Sequence, residues 1–118
     1  MGLTERRMIQ ELKDVTLPAR QQEIAEICGK AIPYEVDWSS LESDAEALRF
    51  VDNVSCHRLN MALRVICADS LGRDAVSASL LKVRLVNVKD PAGMKVTFEG
   101  GTLDMHCAYA LGAQGMHS

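Results

Sequence analysis

"DNVSCHRLNMALRVICADSLG", residues 52–72, sets Cys56 directly before His57 and a second cysteine, Cys67, further along, in the least polar part of the chain. Whether this stretch is a catalytic or metal-binding element or the inside of a helix decides the fold. On a helical wheel with Phe50 at zero, Met61, Val54, Val65 and Ala68 fall within about 60° of it. Val51, Ala62, Leu48, Ile66, Leu59 and Leu63 widen the apolar arc past about 200°, and Cys56 and Cys67 extend it to about 260°. The narrow remainder holds Arg49, Asn53, Asn60, Arg64 and Glu46, with His57 on its border. The stretch therefore reads as a buried helix. Adjacent residues on a helix point about 100° apart, so Cys56 and His57 form no thiolate–imidazole pair there. Cys56 and Cys67 on one helix lie about 16 Å apart, beyond the roughly 7 Å that a disulfide spans.

A surface helix needs an apolar stripe of only about 100°, and one more than twice as wide calls for cover on two sides. A sheet supplies one side, and two short N-terminal helices leave part of the other open. The expected cover is a second copy of the chain, a homodimer formed through the central helix or a sheet edge.

Working outward, Ser43 and Glu46 have the form of a capping box, and helical periodicity runs over 44–69 as one continuous rod until Leu71 and Gly72 end it. Met8, Ile9, Leu12 and Val15 share one helical face, with Thr4 as N-cap, and predict a first helix near 4–15. Pro18, then Ile24, Ile27 and Cys28, then Gly29 as a stop, predict a second near 18–28, so that an αα-hairpin opens the chain. Ile32, Tyr34, Val36 and Trp38 alternate with Pro33, Glu35 and Asp37, which signals a half-buried strand with Pro33 at an edge or at its start.

Leu81, Val83 and Leu85 alternate with Lys82 and Arg84, while Val86 and Val88 continue on the other parity, so a bulge or face switch is expected near Leu85. "DPAG" (90–93) is a turn, Met94, Val96 and Phe98 alternate beyond it, and Gly100–Gly101 supply positive φ for a hairpin into Leu103, Met105, Cys107 and Tyr109. The order ααβαβββ predicts an α+β fold, one domain over 1–118. Helices cover one face of an antiparallel β-meander, and Lys82, Arg84, Lys95, Thr97, Asp104 and His106 stand on the other. Residues 73–80 fit either helix or strand, and about 111–118 reads as a mobile tail.

With 13 Lys+Arg against 16 Asp+Glu and 4% aromatic residues, the 118-residue chain lacks the basic footprint and stacking platform of a nucleic-acid binder. No apolar run approaches the roughly 20 residues of a membrane span, and a cytoplasmic location is expected. None of Cys28, Cys56, Cys67 and Cys107 has C-x-x-C spacing, so all four read as reduced thiols, with no metal and no cofactor expected.

Three polar residues fall inside the apolar arc. Ser55 is accounted for by a bond to a carbonyl one turn back. Asp52 has no assigned partner. Arg58 must reach a carboxylate or water, or else anchor a small anionic ligand. On the last strand Asp104 and His106 share a face about 7 Å apart, which is either a solvated strand face or the start of acid–base chemistry. Arg58, Asp104, His106 and His57 are thus the candidate site residues; phosphate-binding, zinc-protease and nucleophile-elbow motifs are absent.

"PYEVDWSSL" (33–41), "LGRDAV" (71–76) and "EGGTLDM" (99–105) together resemble a pattern in small bacterial α+β proteins of unknown function: a strand ending in V-D-W-x-S-L, a central helix ending in L-G-[RK]-x-A, and G-x-L in a late strand. The resemblance implies one more helix after the last strand, so a chain stopping at Ser118 is expected to be shorter than such proteins. It implies no activity and no site residues.

The leading expectation is a cytoplasmic, homo-oligomeric interaction or small-ligand-binding protein without catalysis. One alternative is a cofactor-free enzyme with its site between helix and sheet, Arg58 anchoring an anion and Asp104 with His106, or His57, as acid and base. That alternative requires these side chains to converge at a cleft. A further alternative is an immunity- or antitoxin-like binder.

Overall fold

A computed structural model of the chain describes residues 2–111, so the expected tail beyond Leu111 lies outside the described residues. The fold is α+β, with helices in the N-terminal part and strands mainly in the C-terminal part. Helices α1 (Leu3–Glu11) and α2 (Leu17–Cys28) are joined by a π-helical segment, Leu12–Thr16, into one rod over 3–28. The expected hairpin does not form. Pro18 lacks an N–H and crowds the preceding turn, which in a regular helix costs about 3 kcal/mol. Here the turn ahead of it is widened, the Leu17 N–H bonding the Leu12 carbonyl, so the chain passes the proline without reversing. Gly29, at φ 72°, caps the rod in the left-handed region.

The central rod is helical over 45–66, as α3 (Ala45–Val51), a π-helical segment (Asp52–His57) and α4 (Arg58–Ile66). Its N-cap is Asp44, whose carboxylate accepts from the Ala47 N–H at 3.0 Å, and not the expected Ser43. Leu71 and Gly72 do not end it. Asp69 caps a further helix, α5 (Ser70–Ser79), by accepting from the Gly72 N–H, which makes most of the ambiguous 73–80 segment helical.

The π segment corrects the wheel. A stripe through Ala47, Val51 and Val54 continues in a regular helix to Arg58, Met61 and Val65; the buried stripe instead continues to Asn60 and Leu63. The wider turn inserts about one residue and rotates everything after it. Asn60, assigned to the polar stripe, is 1% exposed, and Val65, assigned to the apolar centre, is 77% exposed. The 260° arc is two narrower arcs out of phase.

The sheet is mixed, in the order β1 (Tyr34–Val36), β2 (Lys82–Asn87), β4 (Thr102–Cys107), β3 (Lys95–Glu99). β1 and β2 run parallel, β2 and β4 run parallel, and β3 is antiparallel to β4. This corrects the meander: residues 88–94, with a 3-10 turn at Pro91–Gly93, carry the chain past the position β4 takes, and β3 forms on the far side. Gly100 (φ 59°) and Gly101 (φ 84°) form the two-residue hairpin into β4. β2 pairs with β4 in unbroken register, with neither the expected bulge nor a face switch, and Val86 stands on the outer face opposite His106. The turn after β1, Asp37–Leu41, locks to the end of β2: the Asn87 N–H donates to Ser40 Oγ (3.0 Å) and its amide to the Ser40 carbonyl (2.9 Å), while Leu41 is fully buried.

The rods meet the sheet through a polar network. Arg20 grips Asp52, the first residue of the π segment, with two hydrogen bonds of 2.8 and 3.0 Å, and reaches Glu23 at 3.0 Å. The buried Asn60 amide donates to Glu23 Oε1 (2.8 Å) and to the Arg20 carbonyl (3.1 Å), and its oxygen accepts from the Tyr34 hydroxyl at 2.7 Å. The bond to Asp52 raises the Arg20 pKa against the cost of burial. Around this network Ile24, Ile32, Val51, Val54, Val83, Leu85 and Tyr109 form one apolar cluster.

Replacing Asn60 by Leu leaves the Tyr34 hydroxyl and the Glu23–Arg20 pair short of a partner, and a loss of about 2–3 kcal/mol in urea unfolding is expected; a loss below about 0.5 kcal/mol contradicts the network's role. The Asn60 amide, with Arg20, holds the Glu23 carboxyl below the usual glutamate value. Its contribution is therefore complete above that usual value and disappears as pH falls through the lower folded one. Glu23→Gln should flatten this part of the acid-unfolding profile, and an unchanged slope refutes the assignment.

Candidate functional site

The four residues singled out in the sequence do not converge. Cys107, on β4, faces the central rod, where its sulfur lies 3.8 Å from Ser55 Oγ. Strand alternation therefore turns Asp104 and His106 to the opposite face of the sheet. His57 and Arg58 lie exposed on the central rod. The wheel set Arg58 among apolar neighbours only because it assumed regular turns through 52–57. Ser55 also differs from expectation, since its hydroxyl pairs with the Tyr109 hydroxyl at 2.6 Å rather than with a carbonyl one turn back.

Asp104 and His106 belong to a charged row on the sheet face opposite the helices. His106 Nε2 lies 3.1 Å from Asp104 Oδ1, Arg84 bridges Asp104 (3.6 Å) and Asp37 (3.8 Å), and Lys82 pairs with Glu35 at 3.1 Å. The parallel register sets Glu35, Arg84 and Asp104 side by side across three strands. These are partly exposed pairs of modest energetic weight, Lys82 and Arg84 set against Glu35, Asp37 and Asp104. Among the described residues no group of three or more His, Cys, Asp or Glu side chains is arranged to hold a metal ion, and no helix is long and apolar enough to cross a membrane.

The sheet has two edges of different character. At β1 the outward-facing Tyr34 N–H is taken by Gln21 Oε1 at 2.8 Å, while Pro33 faces β2, its carbonyl accepting the Val83 N–H at 3.0 Å. At β3 every residue is exposed. Val96 and Phe98 point to the helix-bearing side, as their partners Met105 and Leu103 do, yet remain 57% and 55% exposed. Beside them runs an apolar groove of about 300 Å³, lined by Leu59, Leu63 and Ile66 of α4, Val76 of α5, Phe98 and Leu103. Periodicity identifies the strand, but its place at the edge follows from the parallel β2–β4 pairing, which alternation does not encode.

A polar cleft of about 410 Å³ opens where α2, α4 and α5 meet, and there Cys28 Sγ lies 3.8 Å from Cys67 Sγ. The separation estimate for Cys56 and Cys67 holds along one helix, but it says nothing of Cys28, which the N-terminal rod brings to the end of α4. No family model, curated protein or solved structure matches the chain.

Proposed function

We propose that the chain is a homo-oligomeric interaction protein without catalysis of its own, which pairs with a second copy of itself through the free edge of β3. The observation that carries this reading is the pattern of that strand, Lys95-Val96-Thr97-Phe98-Glu99. When two copies run antiparallel about Thr97, Lys95 of each faces the other's Glu99, and Val96 of each faces the other's Phe98. One charge pair and one apolar pair are thus each made twice by symmetry, and all are complementary. Charged ends normally keep an edge strand single; here the same charges attract in one register and orientation. The pairing extends the sheet to eight strands and brings the Val96 and Phe98 side chains of the two copies together next to their apolar grooves. A cytoplasmic setting is part of the proposal and rests on the four thiols.

Light scattering should give twice the 12.9 kDa chain mass for the wild type. Lys95→Glu sets like charges opposite each other at two places and should weaken the dimer by about tenfold or more, while Lys95→Glu combined with Glu99→Lys restores it. A wild type that stays monomeric at millimolar concentration overturns the proposal. So does a single variant that associates as the wild type does.

A further inference from the structure

We infer that Cys28 and Cys67 form a reversible two-thiol oxidation site whose oxidant is a hydroperoxide. The inference is independent of the edge pairing. Residues 28 and 67 end the two rods, which are brought side by side, and the cleft between them opens to solvent on the Cys67 side: Cys67 is partly exposed, while Cys28 is 1% exposed behind it. This is the arrangement of an attacking thiol with a resolving partner. The sulfurs lie 3.8 Å apart, and a disulfide brings them to roughly 2.05 Å. The other two cysteines, Cys56 and Cys107, are buried away from the cleft, and burial pushes the Cys56 thiol up to about 12.

Arg73 brings the cleft its positive charge. Its guanidinium lies over Gly29, where a side-chain carbon would come within 2.7 Å of Nη2, and it lines the cleft together with Asp69 and Asp74. Burial raises the Cys28 pKa, with Arg73 opposing.

The Cys67 thiolate attacks one peroxide oxygen; an S–O bond forms, the O–O bond breaks, and the departing hydroxide takes up the proton that Cys67 released and leaves as water. Cys28 sulfur then displaces hydroxide from the sulfenic acid; the S–S bond forms, the S–O bond breaks, and the Cys28 proton leaves in the second water. Two thiols and one hydrogen peroxide give one disulfide and two waters, the two sulfurs together losing two electrons. The product clamps the end of the N-terminal rod to the end of the central rod.

Treating the full chain with hydrogen peroxide and counting thiols after denaturation tests the inference. The wild type should fall from four thiols to two and recover four with dithiothreitol. Tryptic mapping should link the peptide over 21–30 to the peptide over 65–73. Cys67→Ser should keep its three thiols, and Cys28→Ala should yield a sulfenic acid at Cys67 that dimedone traps. Four surviving thiols in the wild type, a link through Cys56 or Cys107, or a covalent dimer in place of the internal link would each overturn it. Mapping uses the wild type alone, so an unstable variant does not leave the matter open.

Discussion

The turn between Asp52 and His57 carries one residue more than a regular helix needs, and the layout of the protein depends on that residue. Before it, the central rod presents Ala47, Leu48, Val51 and Val54 to the core; after it, Asn60 and Leu63 take over at positions a regular helix would turn toward solvent. The wider turn is held from outside. Arg20 grips Asp52 at its start, Tyr109 holds Ser55 within it, and Asn60, three residues past it, is fixed by Glu23 and Tyr34. A helix with an insertion has weaker internal bonding, and these contacts from α2, β1 and the segment after β4 compensate for it.

This arrangement determines which surfaces are left over. With the rods bound to one face of the sheet, the outer face carries a row of paired charges, and the helices leave β3 exposed. Among the described residues an apolar groove and an exposed strand edge therefore lie together at β3, while at the opposite edge Gln21 takes the outward-facing Tyr34 N–H. The same bundling brings the ends of α2 and α4 together and with them two thiols far apart in sequence. Both functional proposals are consequences of where the rods stop.

Much of the fold is legible in the residues. Alternation identifies β1, β2, β3 and β4, the paired glycines identify the hairpin, and the outer-face residues Lys82, Arg84, Lys95, Thr97, Asp104 and His106 are assigned correctly by parity. What sequence periodicity cannot carry is a change of period. Both π segments defeat the wheel: at Leu12–Thr16 a proline reads as a helix start, and at Asp52–His57 the burial of Asn60 and the exposure of Arg58 and Val65 are inverted. Strand order is equally silent, because parity fixes a face and not a neighbour. The Cys28–Cys67 contact belongs to tertiary packing alone; the one local signal is that each cysteine stands at the end of its own helix.

Removing the extra residue tests this account most directly. Asn53 is exposed and lies inside the widened turn; Arg49 is exposed and lies in regular helix. Deleting Asn53 should let the rod run as a regular helix with both buried stripes in phase, so the protein keeps cooperative thermal unfolding with a loss of no more than about 1–2 kcal/mol. Deleting Arg49 should set Ala47 and Leu48 out of phase with everything after them and abolish that transition. Equal damage from the two deletions, or survival of only the Arg49 deletion, would contradict the claim that one inserted residue sets the register of the central rod.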